Sequence, residues 1–242
     1  MSALARSKSL AQPPLPDFRV RVAAAKRDRM RARLITATQD AYLAAGANRT
    51  PVIDDVIRQA GVSRGTFYKY FDSLDEVLAV IGRRAADEML ASFDALFAAV
   101  PDPAVRVAAG PLMALARAAM EPRHGAFISK VDFVEFLGGS DPHAWIVKRC
   151  LTEARETGTL KFESLDAAMD VVVGTSLEGV RRIVKRRAMD DAYVREVITL
   201  VMIALGLGRR GAQRAVTQAW QHLQRASAAL HWWRADVGRS PN

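Results

Sequence analysis

The sequence predicts an all-α protein. Three observations carry this expectation. Alanine is abundant and Val-Ile-Thr alternation is scarce, which favours helix over strand along the chain. Apolar residues recur at steps of three and four through most segments. The breaks between those segments are short, so neighbouring helices should pack roughly antiparallel. A chain of 242 residues that is 50% hydrophobic and 25% charged has the composition of a globular protein with a sizeable core.

The elements follow in order. Residues 1–24 carry Ser, Gln, a PPLP cluster and basic residues, and read as a flexible basic arm. Helical patterning begins between Asp17 and Lys26. Met30, Leu34, Ala37, Ala41 and Ala45 then share one stripe, with Gly46 placed as a left-handed cap. In RTPVIDDVIRQAG, Thr50 reads as an N-cap with Pro51 at the first helical position, and Val52, Ile53, Val56, Ile57 and Ala60 as the buried face. Asp54 and Asp55 sit in the first turns, where the helix dipole favours anions, and Gly61 ends the element. Ser63 is a second N-cap, with Phe67 and Phe71 four apart on the inward side. Asp72-Ser73 breaks the pattern, and LDEVLAVIGRRAADEMLASFDALFAAV resumes it as a longer helix. Further amphipathic segments are separated near Pro101–Pro103, Pro122–Gly125, Gly138–Pro142, Thr157–Leu160 and Ala188–Asp191.

Charge and cysteine usage narrow the function classes. The net charge of +9 is concentrated: residues 1–50 hold ten Lys/Arg against three Asp/Glu. A localised basic field suits a polyanion, although a solvated terminus looks the same by charge alone. The single cysteine, Cys150, points to a reducing cytoplasm. The N-terminus has no signal-peptide core, and the longest apolar run, VITLVMIALGLG, is too short to span a bilayer. A cytoplasmic location with no membrane partner is therefore expected. The histidines (His124, His143, His222, His231) show no metal-ligand spacing, and neither a Gly-rich phosphate loop nor a nucleophile elbow is present. No catalytic residue, metal or cofactor is expected.

Two short capped helices joined by Gly61-Val62 form a helix-turn-helix pattern. In VSRGTFYKYF, Ser63 stands at the helix start, Arg64 supplies charge or reads a base edge, and Gly65 allows close approach to a sugar-phosphate wall. Tyr68, Lys69 and Tyr70 fall on or near the outward arc; Tyr70 reads equally as a half-buried core residue.

The stretch RARLITATQDAYLAAGANRTPVIDDVIRQAGVSRGTFYKYFDSLDEVL resembles the DNA-binding domain of TetR (tetracycline-repressor-like) transcriptional regulators over about residues 26–80. Its most specific part is AGVSRGTFYKYF followed by Ser and an acidic residue. The resemblance implies a helix-turn-helix domain over 25–75 and a ligand-binding and dimerisation domain over 76–242. It implies DNA contacts from Arg64, Gly65, Thr66, Tyr68, Lys69 and Tyr70 beside Ser63, with Thr50 touching backbone. One departure is Leu74, where family members often carry Lys; Lys26, Arg27, Arg29, Arg31 and Arg33, or Arg19 and Arg21, are the candidates to compensate.

For the larger domain, the resemblance implies a small-molecule effector and a homodimer. Residues 165–187 and 191–207 are unusually apolar and contain small residues at Gly174, Ser176 and Gly179; they are the dimer candidates, with intramolecular core as the alternative. Met113, Met120, Phe127, Phe133, Phe136, Trp145, Met169 and Val173 are the candidate pocket residues, with Asp132, Glu135 and His143 as polar contacts, pointing to a small hydrophobic effector. Trp232 and Trp233 are left open between domain cap, partner contact and membrane contact. The expected function is a homodimeric repressor of a near-palindromic operator. Its rivals are an activator of the same fold, a sequence-tolerant architectural DNA binder and a helical enzyme with an embedded DNA-binding motif.

Overall fold

The computed structural model describes residues 18–45, 49–131, 144–187 and 190–233, which form ten α-helices and no strand. The helices are α1 (Phe18–Ala44), α2 (Ile53–Ala60), α3 (Arg64–Tyr68), α4 (Leu74–Phe97), α5 (Pro103–Met120), α6 (Pro122–Lys130), α7 (Ala144–Glu156), α8 (Leu165–Arg186), α9 (Asp191–Ala204) and α10 (Arg209–Ala226). A short 3-10 turn, Ser227–Ala229, follows. No described helix is long and apolar enough to cross a membrane.

Two apolar clusters organise the chain. The first joins Leu34, Ile35, Ala37 and Ala41 of α1 with Val56 and Ala60 of α2, Phe67 of α3, Phe71, and Val77, Leu78 and Ile81 of α4. This core does not stop near residue 75, because α4 supplies one wall and α6 adds Phe127 and Val131. The second is larger and centres on α5, which packs against α7, α8, α9 and α10. α5 is apolar on nearly every face, as a central helix must be. α4 is common to both clusters: Val77, Leu78 and Ile81 face the first, and Phe93, Leu96 and Phe97 the second.

Several local expectations are corrected. Helix α1 starts at Phe18, so residues 18–24, assigned to the arm, are helical. Thr50 is not the N-cap of α2. Val52 holds that position with no side-chain cap; the Asp55 carboxylate instead accepts from the Val52 backbone N–H at 3.0 Å. Val52, placed on the buried face, is exposed. Arg49 and Arg58 close on the same carboxylate, which the Val52 N–H and Arg49 hold below the usual acid range. The break expected near Pro122–Gly125 falls at Glu121, and Gly125 lies inside α6, where a Cβ would stand 2.9 Å from the Ala118 carbonyl oxygen. Trp232, left open by the sequence, is 1% exposed and donates to Ser92 Oγ at 3.4 Å, so within the chain it caps the larger cluster.

Gly179 also has an internal reason. A Cβ there would meet a Leu115 methyl at 2.6 Å, so its smallness serves the α5–α8 contact and not an approach between subunits. Gly206, at φ 89°, closes the α9–α10 turn, where Lys161 donates its N–H to the Leu205 carbonyl.

Candidate nucleic-acid interface and effector cavity

Helix α3 is short because its ends are set by specific groups. Ser63 Oγ accepts from the Thr66 backbone N–H at 3.2 Å and lies 2.9 Å from Thr66 Oγ1. Helical geometry ends at Tyr68, so the segment expected as one helix to Phe71 is five helical residues and a turn. In that turn the Tyr70 and Phe71 N–H groups both donate to the Phe67 carbonyl. Phe67 and Phe71 are 0% and 1% exposed, and they fasten the segment to α1, α2 and α4. The helix-turn-helix corner is Gly61, whose φ of 59° a side chain would resist.

The outer side of this segment is open. Ser63, Arg64, Gly65 and Lys69 are exposed, Thr66 is half-buried, and Tyr68 is 47% exposed with its ring edge-on to Phe67. Gly65 has nothing but Ser63 Oγ, at 4.0 Å, near the place a Cβ would occupy. The fold itself therefore gives no reason for glycine there. Arg64 forms an exposed ion pair with Asp54 at 3.6 Å, which holds it toward α2. Tyr70 is half-buried against the first cluster, and its carbonyl accepts from Arg31 at 3.5 Å. Thr50 is exposed ahead of α2.

The candidate cations on α1 divide. Arg31 is committed within the chain: its guanidinium lies 4.4 Å from the Phe71 ring centroid and 4.0 Å from Glu76. Lys26, Arg29 and Arg33 are exposed at i, i+3 and i+7 on one face of α1, with Arg33 near the Gly61 corner. Leu74 packs on the first cluster, which accounts for an apolar residue at that position.

Between α4, α5, α6, α7 and α8 lies a cavity of about 230 Å³. Met89, Phe93, Pro111, Ile128, Ile146, Val172, Val173 and Leu177 give it an apolar wall, and His124 and Ser176 its polar groups among the described residues. Of the expected pocket residues, Val173 lines it. Met113 and Met120 are buried in the larger core instead, Met169 packs on the outside of that core, and Phe127 belongs to the first cluster. Phe133 and Phe136, with Asp132, Glu135 and His143, lie outside the described residues, as does the Trp145 side chain. A stripe of large apolar residues marks close packing as readily as a cavity wall, so size alone misdirected the choice.

Helix α6 touches both regions. His124, Gly125 and Ile128 line the cavity, while Phe127 and Val131 enter the core beneath α3. Lys130 Nζ donates to the carbonyls of Tyr42, Leu43 and Ala45, closing the C-terminal end of α1. A second, half-polar cavity of about 420 Å³ also has His124 in its wall, with residues of α1, α4 and α6. Arg117 at its edge is 4% exposed and paired with Glu88 at 2.5 Å and Glu121 at 2.9 Å. None of these α6 roles was foreseen, nor were His124 and Arg117. The signal that existed is the pairing of His124 with Ile128 and of Phe127 with Val131, two i,i+4 sets on neighbouring faces of one helix.

Residues 43–81 match the family model described as bacterial regulatory proteins, tetR family. No curated protein matches the sequence. Among solved structures, the fold is similar to RolR in complex with resorcinol: 23% identity over 81% of this chain and 96% of that one, TM-score 0.59. It is similar to a tetR family transcription regulator from Shewanella sp. PV-4: 17% identity over 73% and 97%, TM-score 0.59. It is similar also to a gamma-butyrolactone receptor, an ArpA-like protein: 17% identity over 82% and 99%, TM-score 0.52. The family-model match covers the helix-turn-helix segment, and the all-α fold is that of these solved structures.

Proposed function

We propose that this chain, which carries the DNA-binding domain of the tetR family, is a homodimeric repressor released from a near-palindromic operator by a small apolar effector. One observation carries the reading. A short segment is anchored by two buried phenylalanines and turns Arg64, Gly65, Tyr68 and Lys69 outward, with a glycine that the fold does not require. On this reading residues 63–71 enter the major groove. Arg64 and Thr66 face base edges or phosphates, Gly65 allows the approach, and Tyr68 and Lys69 hold phosphates. Ser63 and Thr50 flank the contact, and Tyr70 contributes through its exposed edge. The two copies of the segment sit one duplex turn apart, roughly 34–36 Å.

The dimer forms through 165–207. The exposed side of α8 and α9, with Gly174 in open space and Leu200 at 50% exposed, is the surface available for it. The fold neighbours include one bound to resorcinol and one called a gamma-butyrolactone receptor, which supports a small-molecule effector in the 230 Å³ cavity. Helix α6 is the coupling element, because it is a wall of that cavity and part of the core under α3. An occupant that displaces α6 shifts α1 and α3 with it, and the coupling needed for release is about 1–3 kcal/mol.

The test is a salt titration of DNA affinity on a genomic fragment selected by the wild-type protein. Lys69→Ala removes one phosphate contact from each subunit, so the slope of log K against log salt should flatten by about 2 per dimer. Tyr68→Phe should weaken binding with no change in folding. An unchanged slope and affinity for Tyr68→Phe combined with Lys69→Ala removes residues 63–71 from the interface. Equal affinity on random DNA at matched salt would favour the architectural reading.

Lys130 gives a second expectation. Lys130→Met leaves the Tyr42, Leu43 and Ala45 carbonyls without their donor at a cost of about 1–3 kcal/mol. Melting should fall, and the effector should release DNA less completely than from wild type at equal saturation. Full release by this variant would show that α6 does not transmit through α1.

A further inference from the structure

We infer that the α4–α8 cavity selects a neutral, mostly apolar molecule bearing one hydroxyl, and that His124 is the residue that recognises that hydroxyl. The inference rests on reading the cavity as the effector site and adds the chemical class of its occupant.

Among the described residues, the cavity wall is apolar except for two groups on opposite helices, His124 on α6 and Ser176 on α8. The Ser176 hydroxyl donates to the Val172 carbonyl at 2.6 Å, so only its oxygen lone pairs remain, and it acts as an acceptor. No described residue hydrogen-bonds the His124 ring. Burial first, and the Arg117 charge second, push the His124 pKa down to about 3, so at neutral pH the ring is an uncharged imidazole with one donor and one acceptor. Together the two groups offer one donor and two acceptor positions, which matches a hydroxyl that both donates and accepts.

Charged occupants fit poorly. A carboxylate needs several donors when it leaves water, and the described wall offers one. Arg117, whose charge acts on His124, does not line the cavity and is held by Glu88 and Glu121. An ammonium would enter an apolar space with no carboxylate on its described wall. A volume of about 230 Å³ is below the range for drug-sized ligands, so the occupant is small.

The experiment compares butylbenzene, 4-butylphenol and 4-butylbenzoate on the full chain, by calorimetric affinity and thermal shift. The three differ only in the group presented to His124. On wild type, 4-butylphenol should bind about 5- to 10-fold tighter than butylbenzene, the gain of roughly one well-made hydrogen bond, and 4-butylbenzoate should not bind. His124→Phe should keep butylbenzene binding and abolish the preference for the phenol; Ser176→Ala should reduce it partly. Equal binding of arene and phenol, tightest binding of the benzoate, or a phenol preference that survives His124→Phe overturns the inference while leaving the cavity as an effector site. Binding of none of the three overturns both. DNA release is not part of the readout, so the outcome stands apart from the repressor reading.

Discussion

Gly65→Leu is expected to abolish tight DNA binding while leaving the protein as stable as wild type. The two halves of this expectation have separate causes. Gly65 is exposed within α3, and only Ser63 Oγ comes as near as 4.0 Å to its missing Cβ. A side chain there meets nothing in the chain. Replacing a helical glycine removes backbone freedom from the unfolded state, so the helix gains about 0.5–1 kcal/mol. Melting by circular dichroism should therefore hold or rise slightly. On DNA, the added carbons stand where the helix backbone must approach the sugar-phosphate wall, once in each subunit. A loss of about 1.4 kcal/mol per subunit gives roughly a hundredfold weaker binding by the dimer. Fluorescence anisotropy on the selected fragment, at one fixed salt concentration, measures it. Gly65→Ala should fall between the two. If Gly65→Leu binds as wild type does, the outer side of α3 is not the interface. If it melts early, the glycine serves the fold, and its exposure has been misread as a mark of function.

How far this surface was legible in the sequence depends on the residue. Phe67 and Phe71 are four apart, and that spacing alone places them on one inward face; they are buried as expected. Ser63 as N-cap and Gly61 as the corner are local chemistry, set within three residues, and both are found. Thr50 shows where local reasoning fails. It has the right residue type ahead of Pro51, but Asp55, which Arg49 and Arg58 embrace, reaches back to the Val52 N–H, and the helix starts later. That outcome depends on three charged side chains converging, which a capping rule does not contain. The cavity was less legible still. Its wall draws on five helices, and Ala114, Gly110 and Val173 line it because of where those helices diverge, not because of their size. Met113 and Met120 are larger and fully packed. Helical periodicity states which face turns inward and is silent about where the inward faces fail to meet. Gly179 carries the same lesson: a small residue marks a close approach but does not say to which helix, and here the neighbour is Leu115.

Phe67→Ala should unfold the DNA-binding unit and leave the larger unit folded. Phe67 is 0% exposed at the centre of the first cluster, against the Phe71 ring at 6.2 Å between centroids. Truncating such a residue costs about 3–5 kcal/mol, as lost transfer energy plus a cavity. A unit of this size, at about 0.05–0.15 kcal/mol per residue, holds only some 3–8 kcal/mol in all. The loss is therefore comparable with its whole stability. The larger cluster does not contain Phe67, and among the described residues α4 and α6 link it to the first. α4 can fray at its N-terminal turns without opening the second core, since Phe93, Leu96 and Phe97 lie at its other end. Two melting transitions should replace one, the later at the wild-type temperature, together with complete loss of DNA binding. Butylbenzene should still raise the later transition, because the cavity lies among α4–α8, with Met89 and Phe93 on its α4 wall. A single transition that carries both clusters down together would show that Phe127 and Val131 weld them into one cooperative unit. In that case α6 is too rigidly held by both sides to move in response to an effector, and release must run through α4 instead.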